Sequence, residues 1–445
     1  MSEKQNEEIP IAEIIEKINL NLHPNILNQL QEIILIQSWN GQTYEDIANF
    51  SDYSIQYIRD IGYLLWQLLS EFTSTKVTKN NVKFVLSKWW KNLYLYDYTN
   101  KAYFSKCLKL PDGSINLNSP LYIKRSPVED YCYSEITLSG ALVIIRAPMK
   151  MGKTSLTIRI LDYASSLKYR TIYLNLEQAE FSIIKNLDRL LRWFCINISR
   201  QLKLKPLLDD YWDEDIGSKI SCTNYFQDYI LRQIKVPIVL GIDEINWIFE
   251  YPIVAKDFLS LLRFWHEEAN KREIWQNLRI VMVYSTEVSV PLNFNQSLFN
   301  VGLSIRLPEL NQKQIRTLAS VYQVDNLTDE EVTQISDMLG GHPYLVQLIL
   351  YYLHRQENNL EYLLQTAPTQ KGIYSNYLWK YLVTLKAYPE LAEAMKKVVT
   401  NSRSVYLESV LAYKLESMGL VSILGNEVRP KCKLYYMYFQ IYLQN

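Results

Sequence analysis

The sequence is poor in glycine, balanced in charge and without a long apolar run. Only 13 of its 445 residues are glycine, well below the average usage of about 7%, so we expect few long flexible loops and a mostly helical protein. Lys and Arg together number 47, as do Asp and Glu. This balance excludes a polycationic nucleic-acid binder over the whole chain and leaves only local basic surfaces.

Cysteine is also scarce, and its spacing is uninformative. The five cysteines are Cys107, Cys132, Cys195, Cys222 and Cys432. Their odd number and the absence of a C-x-x-C pair exclude a recognisable zinc pattern or disulfide framework, so we expect free thiols in a reducing compartment. The chain has no run near the roughly 18 apolar residues of a membrane span, and Met1–Pro10 lacks an apolar signal core. We therefore expect a cytoplasmic protein without membrane contact.

Residues 9–95 have the apolar spacing of a small helical domain. Thr43 is typical of an N-cap, and Tyr44–Ala48 begins a short helix. After a tight turn, Ser54 is expected to cap a longer helix that runs to about Ser70. A short helix, a tight turn and a longer helix predict a helix-turn-helix.

The periodicity changes in the middle of the chain. Residues 96–120 lack regular spacing and contain the turn sequence Pro111-Asp112-Gly113-Ser114, so we expect a linker. Beyond it, apolar strands alternate with amphipathic helices, which predicts a parallel sheet covered on both faces over residues 121–308. The predicted strands are 141–145, 171–176, 238–242 and 280–284. The predicted helices are 155–167, 182–203, 223–233 and 254–270.

From residue 309 the pattern is helical again. We expect a helical lid over 309–376 and a last domain over 377–445. The predicted helices are 314–321, 328–339, 343–355, 389–398 and 404–418. Two apolar segments around Gly425-Asn426, within Leu420–Arg429, predict a hairpin. Helices followed by a hairpin predict a winged helix.

One segment has the pattern of a phosphate-binding loop: Ala147-Pro148-Met149-Lys150-Met151-Gly152-Lys153-Thr154, followed by Ser155. It joins a strand to a helix, and the backbone N–H groups of such a loop wrap phosphates at the helix N-terminus. Lys153 should reach the β- and γ-phosphates, and Thr154 should offer its hydroxyl to Mg²⁺. Ala147 stands where glycine is usual, so we expect the start of the loop to differ slightly.

Two further groups follow predicted strands. Asp243 and Glu244 end the strand 238–242, where ligands bind in α/β sheets. Asp243 is expected to hold Mg²⁺, directly or through water, and Glu244 to polarise the attacking water. Ser285 or Thr286, after the strand 280–284, is expected to contact the γ-phosphate or that water as a sensor. Ser and Thr also cap the starts of ordinary loops. The sequence does not separate Ser285 from Thr286 as the sensor candidate.

Gly340-Gly341-His342-Pro343 joins two helices of the predicted lid. Pro343 suits the first turn of its helix, and His342 is expected to face the nucleotide phosphates. The alternative is a glycine C-cap with the histidine in solvent. Candidates for a finger-type cation are Arg146, Lys150, Arg263, Arg272 and Arg279, none of which is favoured.

These residues together resemble the bacterial AAA-like domain family of STAND-type signalling ATPases, over residues 122–443. Further matching blocks are Trp265-His266-Glu267-Glu268-Ala269, Asn300-Val301-Gly302-Leu303, Ala412-Tyr413-Lys414-Leu415 and Met418-Gly419-Leu420-Val421. The resemblance implies a multidomain, α-rich protein with a central α/β P-loop ATPase core, a helical lid with a Gly-x-Pro element and a C-terminal winged helix. It also implies ATP rather than GTP as the nucleotide.

Residues 9–95 are similar to the N-terminal helix-turn-helix of vWA-MoxR-associated proteins. The matching residues are Thr43-Tyr44-x-x-Ile47-Ala48 and Tyr57-Ile58-Arg59-Asp60-Ile61-Gly62. A DNA-reading helix would present Ser54, Gln56, Tyr57 and Arg59 to a groove. However, residues 1–95 hold 8 Lys and Arg against 11 Asp and Glu, and DNA affinity depends on neutralising phosphates. A protein-interaction or self-association module is at least as well supported.

Three functions are therefore consistent with the sequence. The first is an ATP-dependent molecular switch in signalling or regulation, whose ATPase activity resets its state. The second is a DNA-binding regulator in which the nucleotide only sets conformation. The third is a scaffold that holds ATP or ADP without turnover.

Overall fold

The computed structural model describes residues 11–21, 27–51, 53–73, 75–90, 108–287, 301–401 and 403–443. The chain divides into two compact units, Met1–Leu108 and Lys109–Asn445. Within the described ranges, no helix combines the length and apolar character that crossing a bilayer requires. Of the cysteines, Cys107 lies outside these ranges, and the other four are free and buried.

The first unit is a helical domain with one apolar core. Its helices are α1 (Ile11–Asn21), α2 (Gln29–Trp39), α3 (Tyr44–Ser51), α4 (Ile55–Thr73) and α5 (residues 82–90). All five contribute to the core, for example through the fully buried Ile14, Ile34, Ile58 and Leu86. The helix-turn-helix predicted here is thus part of an all-α unit.

Both predicted caps of this unit are confirmed. The Asp46 N–H donates to Thr43 Oγ1 at 3.1 Å, and the Thr43 N–H donates back to Asp46 Oδ2 at 2.8 Å. The Tyr57 N–H donates to Ser54 Oγ at 3.2 Å. Each cap satisfies a first-turn N–H that has no partner inside the helix.

The second unit contains a five-stranded parallel sheet in the order β2-β3-β4-β1-β5. The strands are β1 (Leu142–Ala147), β2 (Arg170–Asn175), β3 (Ile238–Asp243), β4 (Leu278–Ser285) and β5 (Leu303–Arg306). The first four confirm the predicted strands, whose continuous apolar runs reflect burial on both faces. The fifth was not predicted because it has four residues, of which only Ile305 is buried.

Helices cover this sheet. They are α6 (Val128–Thr137), α7 (Lys153–Ser166), α8 (Phe181–Ile184), α9 (Leu187–Gln201), α10 (Ser218–Asn224), a π-helical segment (Tyr225–Ile230), α11 (Leu231–Gln233) and α12 (Pro252–Glu268). The single helix predicted over 182–203 is wrong, because the Asn186 side chain accepts the Arg189 N–H at 3.0 Å and starts a new helix. The helix predicted from 223 begins five residues earlier, at Ser218.

The rest of the unit is helical apart from a small sheet. Its helices are α13 (Gln312–Val321), α14 (Asp329–Leu339), α15 (Pro343–His354), α16 (Leu360–Thr366), α17 (Ser375–Ala387), α18 (Pro389–Thr400), α19 (Ser409–Ser417) and α20 (Lys433–Tyr442). The antiparallel strands are β6 (Val405–Tyr406), β7 (Val421–Leu424) and β8 (Glu427–Pro430), in the order β6-β8-β7.

The hairpin of this small sheet confirms the prediction around Gly425-Asn426, since β7 pairs with β8 across those two residues. The helix predicted from residue 404 is wrong over its first five residues. There the backbone is extended, because Val405 pairs with Val428 of β8.

The second half of the predicted linker is fixed to the sheet domain. Residues 108–120 have no helix or strand, as predicted, whereas 96–107 lie outside the described residues. The Arg159 guanidinium donates to the carbonyls of Ile115, Asn116 and Leu117 at 3.2, 2.8 and 3.1 Å. This segment therefore packs along α7, the helix that follows the predicted phosphate loop.

Candidate nucleotide site

The predicted phosphate loop joins β1 to α7 at the carboxyl edge of the sheet. Ala147 is the last residue of β1 and pairs with Ser285 of β4. The positive backbone φ angles of the loop fall on Lys150 (59°) and Gly152 (91°) instead. Ala147 therefore has strand backbone, in which a Cβ causes no strain. A Cβ on Gly152 would also lie only 3.2 Å from Arg125 Nη2.

The helix α7 begins at Lys153 without a side-chain cap. The first N–H groups of a helix have no intrahelical acceptor and lie at the positive end of its dipole, which is a favourable place for a phosphate. The Ser155 hydroxyl is already used, because it accepts the Ile115 N–H at 2.9 Å. The Ser155 side chain thereby holds the segment 108–120 against the first turn of α7.

Lys153 lies inside the loop. Its buried Nζ donates to the carbonyls of Ala147 at 3.1 Å and Pro148 at 2.9 Å. Burial lowers the pKa of Lys153, and the charges of Glu287, Glu244 and Asp243 act in the opposite direction. The cation is thus held between loop carbonyls and three carboxyl groups, within the loop that it would share with a phosphate.

Asp243 and Thr154 form the second part of the site. Asp243 is fully buried, and its Oδ2 accepts hydrogen bonds from Thr154 Oγ1 at 2.7 Å and from the Tyr173 hydroxyl at 2.8 Å. Mg²⁺ in nucleotide sites commonly takes one or two protein oxygens and completes its shell with phosphates and water. A hydroxyl and a carboxylate in contact beside the loop fit that requirement.

Glu244 follows directly, in a left-handed backbone conformation with φ of 55°. Its Oε2 accepts from Asn246 Nδ2 at 3.1 Å, and Asn246 Oδ1 accepts the Ser285 N–H at 2.9 Å. Burial raises the pKa of Glu244. Asn246, which the sequence did not single out, thus links Glu244 to the end of β4. A carboxyl group held in this way, with a raised pKa, is suited to accept a proton from water.

The structure separates the two sensor candidates. Ser285 is buried at the end of β4. The Thr286 hydroxyl donates to the carbonyl of Ser417 at 2.5 Å. The next residue, Glu287, accepts the Met149 N–H of the loop on Oε1 at 2.9 Å. Sequence reasoning missed Glu287 because nothing in the Ser-Thr-Glu run distinguishes it.

His342 contacts the loop from the turn between α14 and α15. Its Nε2 lies 3.2 Å from the Met149 carbonyl, and the side chain is only 7% exposed, so the alternative of a solvated histidine is wrong. Burial lowers the pKa of His342 to about 4, which makes it neutral at pH 7. Gly340 ends α14 with φ of 62°, and Pro343 is the first residue of α15, as predicted.

The C-terminal segment touches the same side of the loop. Gly419 leaves space for Pro148, since a Cβ on that glycine would lie 2.6 Å from Pro148 Cγ. Arg306 of β5 pairs with Glu416 of α19 at 3.3 Å. A cavity of about 570 Å³ lies here between the sheet edge and the helices α17 and α19.

The candidate finger cations lie in different environments. Arg263, Arg272 and Arg279 each have a partner close in the sequence: Glu267 at 2.7 Å, Glu268 at 3.1 Å and the Gln276 carbonyl at 2.7 Å. Lys150 Nζ lies 3.8 Å from the Tyr344 ring centroid and 3.8 Å from Asp112. Arg146 lines the cavity.

Arg125 is a further residue that sequence reasoning missed. Its buried guanidinium donates to the carbonyl of Met151 at 2.7 Å and to that of Pro308 at 3.3 Å. It therefore supports the loop from outside and ties it to the segment that leads into α13. No local pattern marks this arginine, because its partners are backbone atoms distant in the sequence.

Family models match both parts of the chain. A model described as an AAA-like domain matches residues 110–441. A model of the N-terminal helix-turn-helix of vWA-MoxR associated protein matches residues 9–89. No curated protein matches the chain.

Solved structures with the same fold include a Walker-type ATPase of Pyrococcus abyssi. It is 13% identical with a TM-score of 0.53, over 72% of this chain and 96% of that one. The ORC2 protein of Aeropyrum pernix, in its ADPNP–ADP complexes, is 15% identical with a TM-score of 0.43, over 74% and 96%. The first likeness shows that the second unit has a P-loop ATPase fold.

Proposed function

Because this chain belongs to the AAA-like domain family, we propose that it is a molecular switch that binds ATP with Mg²⁺ and hydrolyses it. One observation carries the proposal: Lys153, Thr154, Asp243 and Glu244 come from two different strand ends and meet around one loop at the sheet edge. Such a constellation combines phosphate binding, metal binding and a base in one place.

The hydrogen bonds of the loop indicate how it would bind a nucleotide. Lys153 exchanges the carbonyls of Ala147 and Pro148 for phosphate oxygens, while the first N–H groups of α7 face the same phosphates. Thr154 and Asp243 would hold Mg²⁺, which would supply positive charge beside the phosphates. Tyr173 keeps its hydrogen bond to Asp243 and orients that carboxylate.

Glu244 is the proposed general base. Asn246 fixes the carboxyl group of Glu244 through a hydrogen bond. Burial raises the pKa of Glu244, which makes it a stronger base than an exposed carboxylate. It accepts a proton from the water that attacks the γ-phosphate. Ser285, joined to the same asparagine through its N–H, is the better sensor candidate of the two, because the Thr286 hydroxyl is engaged with Ser417.

Calorimetric titration with ATP and Mg²⁺ tests the proposal. Lys153→Ala should weaken nucleotide binding at least about 100-fold, since a charge-assisted contact and its electrostatic field are both lost. Lys168→Ala, which removes an exposed lysine two residues beyond the C-terminal end of the same helix, is the matched control and should leave binding unchanged. Equal affinity of wild type and Lys153→Ala would refute the phosphate-loop assignment.

The regulatory role is supported by the first unit. Large apolar side chains are exposed on it, among them Phe50 (66%), Tyr63 (62%) and Phe84 (71%). Exposed aromatic groups favour contact with protein, and the acidic balance of residues 1–95 disfavours DNA. We therefore propose a signalling switch of the STAND type in a reducing cytosol, with a protein partner or self-association through this unit and a winged helix at residues 377–443.

DNA binding is the second candidate, favoured by the family match to a helix-turn-helix. A gel-shift titration on mixed duplexes at low salt, with and without ATP, separates the two. We expect no shift in either condition. A shift that falls steeply with added salt would favour the DNA-binding regulator instead.

A further inference from the structure

A closed ring of hydrogen bonds joins the phosphate loop to the C-terminal helices. The loop residue Met149 is held at both backbone atoms: its N–H donates to Glu287, and its carbonyl lies 3.2 Å from His342 Nε2. Two tyrosines of α17 close the ring. The Tyr381 hydroxyl donates to Glu287 Oε1 at 2.5 Å, and the Tyr377 hydroxyl lies 3.2 Å from Tyr381 and 3.1 Å from His342 Nε2.

A third tyrosine extends the ring into α20. The Tyr435 hydroxyl lies 3.2 Å from that of Tyr377. The three tyrosines are at most 5% exposed, so none can exchange its ring partner for bulk water. Burial also raises the pKa of Tyr377 and of Tyr381, which keeps both hydroxyls protonated and able to donate.

One arrangement of protons satisfies the contacts of the ring. The Met149 carbonyl can only accept, so His342 Nε2 carries its single hydrogen, which that carbonyl and the Tyr377 hydroxyl share as a three-centre bond. Tyr377 donates to Tyr381, and Tyr381 donates to Glu287. Tyr377 uses its second lone pair to accept from Tyr435. The donors from Tyr435 through Tyr377 and Tyr381 then all point towards Glu287, and successive hydrogen bonds of one direction strengthen each other.

The assignment agrees with an independent feature of His342. If Nε2 carries the hydrogen and the ring is neutral, Nδ1 carries none and need not donate. Nδ1 is buried and has no hydrogen-bond partner within the described residues, which is tolerable for an unprotonated nitrogen and costly for a charged one.

We propose that Glu287 is a positioning residue of the nucleotide site and that this ring couples the phosphate loop to the packing of α17 and α20. The inference rests on the proposed function. Glu287 and His342 fix the peptide groups on either side of Met149, so the ring sets the direction in which the neighbouring loop N–H groups point. A shift of α17 displaces Tyr377 and Tyr381 and thereby releases Met149.

The coupling is reciprocal by thermodynamic necessity. Nucleotide that draws Lys153 away from the carbonyls of Ala147 and Pro148 alters the loop that Glu287 and His342 hold. The same nucleotide brings negative charge towards Glu287, whose carboxyl group faces Lys153. Nucleotide binding and the position of α17 therefore bias each other through five side chains that form one connected network.

The test compares single hydroxyl deletions. Tyr381→Phe and Tyr377→Phe each remove one ring hydroxyl without changing shape. Tyr374→Phe is the matched control, because its fully buried hydroxyl donates to the Leu345 carbonyl at 3.1 Å, outside the ring. Binding of ATP with Mg²⁺ is measured by calorimetry, and the thermal unfolding midpoint of each variant is measured without nucleotide.

We expect the two ring variants to raise the Kd for ATP about 10-fold, within the usual range for coupled sites. The control should lower the unfolding midpoint comparably while changing the Kd less than about 2-fold. Glu287→Gln combined with Tyr381→Phe should weaken binding no more than the worse single variant, since both break the same ring. A merely structural role would instead lower the unfolding midpoint without raising the Kd above that of the control.

The possible failures are distinguishable. If wild type binds no ATP, the proposed function fails and the inference fails with it. If wild type binds ATP but both ring variants match Tyr374→Phe, the ring carries no coupling and only this inference is overturned. Should Tyr381→Phe not fold, Tyr435→Phe removes a hydroxyl at the edge of the ring. A Kd increase of about 3-fold over the control then supports the coupling, and no increase rejects it.

Discussion

The phosphate loop has two faces of opposite character. Towards α7 and β3, it meets Lys153, Thr154, Asp243 and Glu244, which are charged or offer ligands to a metal. Towards the lid and α17, its Met149 is held by a buried ring that consists of histidine, tyrosines and a single carboxyl group. The first face has the groups that chemistry on a triphosphate needs. The second has groups that fix geometry, so binding and signalling are expected to respond to different substitutions.

The largest effect should come from the first face. Glu244→Gln keeps the side-chain shape but removes the base, so turnover of ATP should fall about 10²- to 10⁴-fold. Binding of ATP should change little, because the substitution leaves Lys153 and the loop intact. Phosphate release under saturating ATP measures turnover, and calorimetry measures binding.

Glu250→Gln is the control for that substitution. Glu250 is an exposed carboxylate at the end of the short helical segment Ile245–Glu250, which directly follows Glu244. Its turnover should equal that of wild type. If Glu244→Gln hydrolyses ATP as fast as the wild type, the base assignment is incorrect and the scaffold function gains support.

On the second face, His342 should make stability depend on pH. Its pKa is lowered from 6.5 to about 4 by burial, so the unfolded state binds the proton at pH values between the two. Native stability contributed by the neutral histidine is complete above about pH 6.5 and is lost as the pH falls towards 4, by up to about 1.4 kcal/mol per pH unit. Urea unfolding at several pH values measures this slope.

His342→Gln should flatten that slope, because the amide can still donate to the Met149 carbonyl but cannot take up a proton. His354→Gln is the control: it changes a partly exposed histidine at the end of α15, and it should keep the wild-type slope. An unchanged slope in His342→Gln would show that His342 takes up its proton as readily in the native state as in the unfolded chain.

The smallest effect on the site is expected from the first unit. Phe84→Ser removes an exposed ring (71%) from α5, and surface changes of this kind usually alter the free energy of unfolding by less than about 0.5 kcal/mol. ATP affinity should be unchanged. Molar mass in solution, measured with ATP, with ADP and with neither, should fall if this surface mediates self-association. Identical masses in all variants and conditions would assign the surface to another partner.

The two faces also differed in how well the sequence revealed them. The first face consists of contiguous motifs at the ends of long apolar strands, so β1, β3, the loop and Asp243-Glu244 were recognisable in the sequence. The second face joins hydrogen-bonded partners that are up to 193 positions apart in the sequence. Its tyrosines belong to a set of 34, and α17 and α20, which carry them, were not predicted.

Other details depended on tertiary contacts as well. Both Ser285 and Thr286 suit a sensor by type, and only the contact of Thr286 with Ser417 separates them. His342 was expected from its motif to be near the nucleotide or in solvent, and burial under α17 decided against solvent. Arg125 binds backbone carbonyls. Because every residue has a carbonyl, such partners leave no recognisable pattern in the sequence.

The most direct test of the two-faced loop is hydrogen exchange of the full chain with and without ATP and Mg²⁺. We expect slower backbone exchange at residues 147–155, where the nucleotide is proposed to bind, together with a changed rate at residues 433–442 of α20, which the ring reaches through Tyr435. Tyr377→Phe should keep the first change and lose the second. Protection confined to the loop in the wild type would contradict the account, because the nucleotide would then not reach the C-terminal helices.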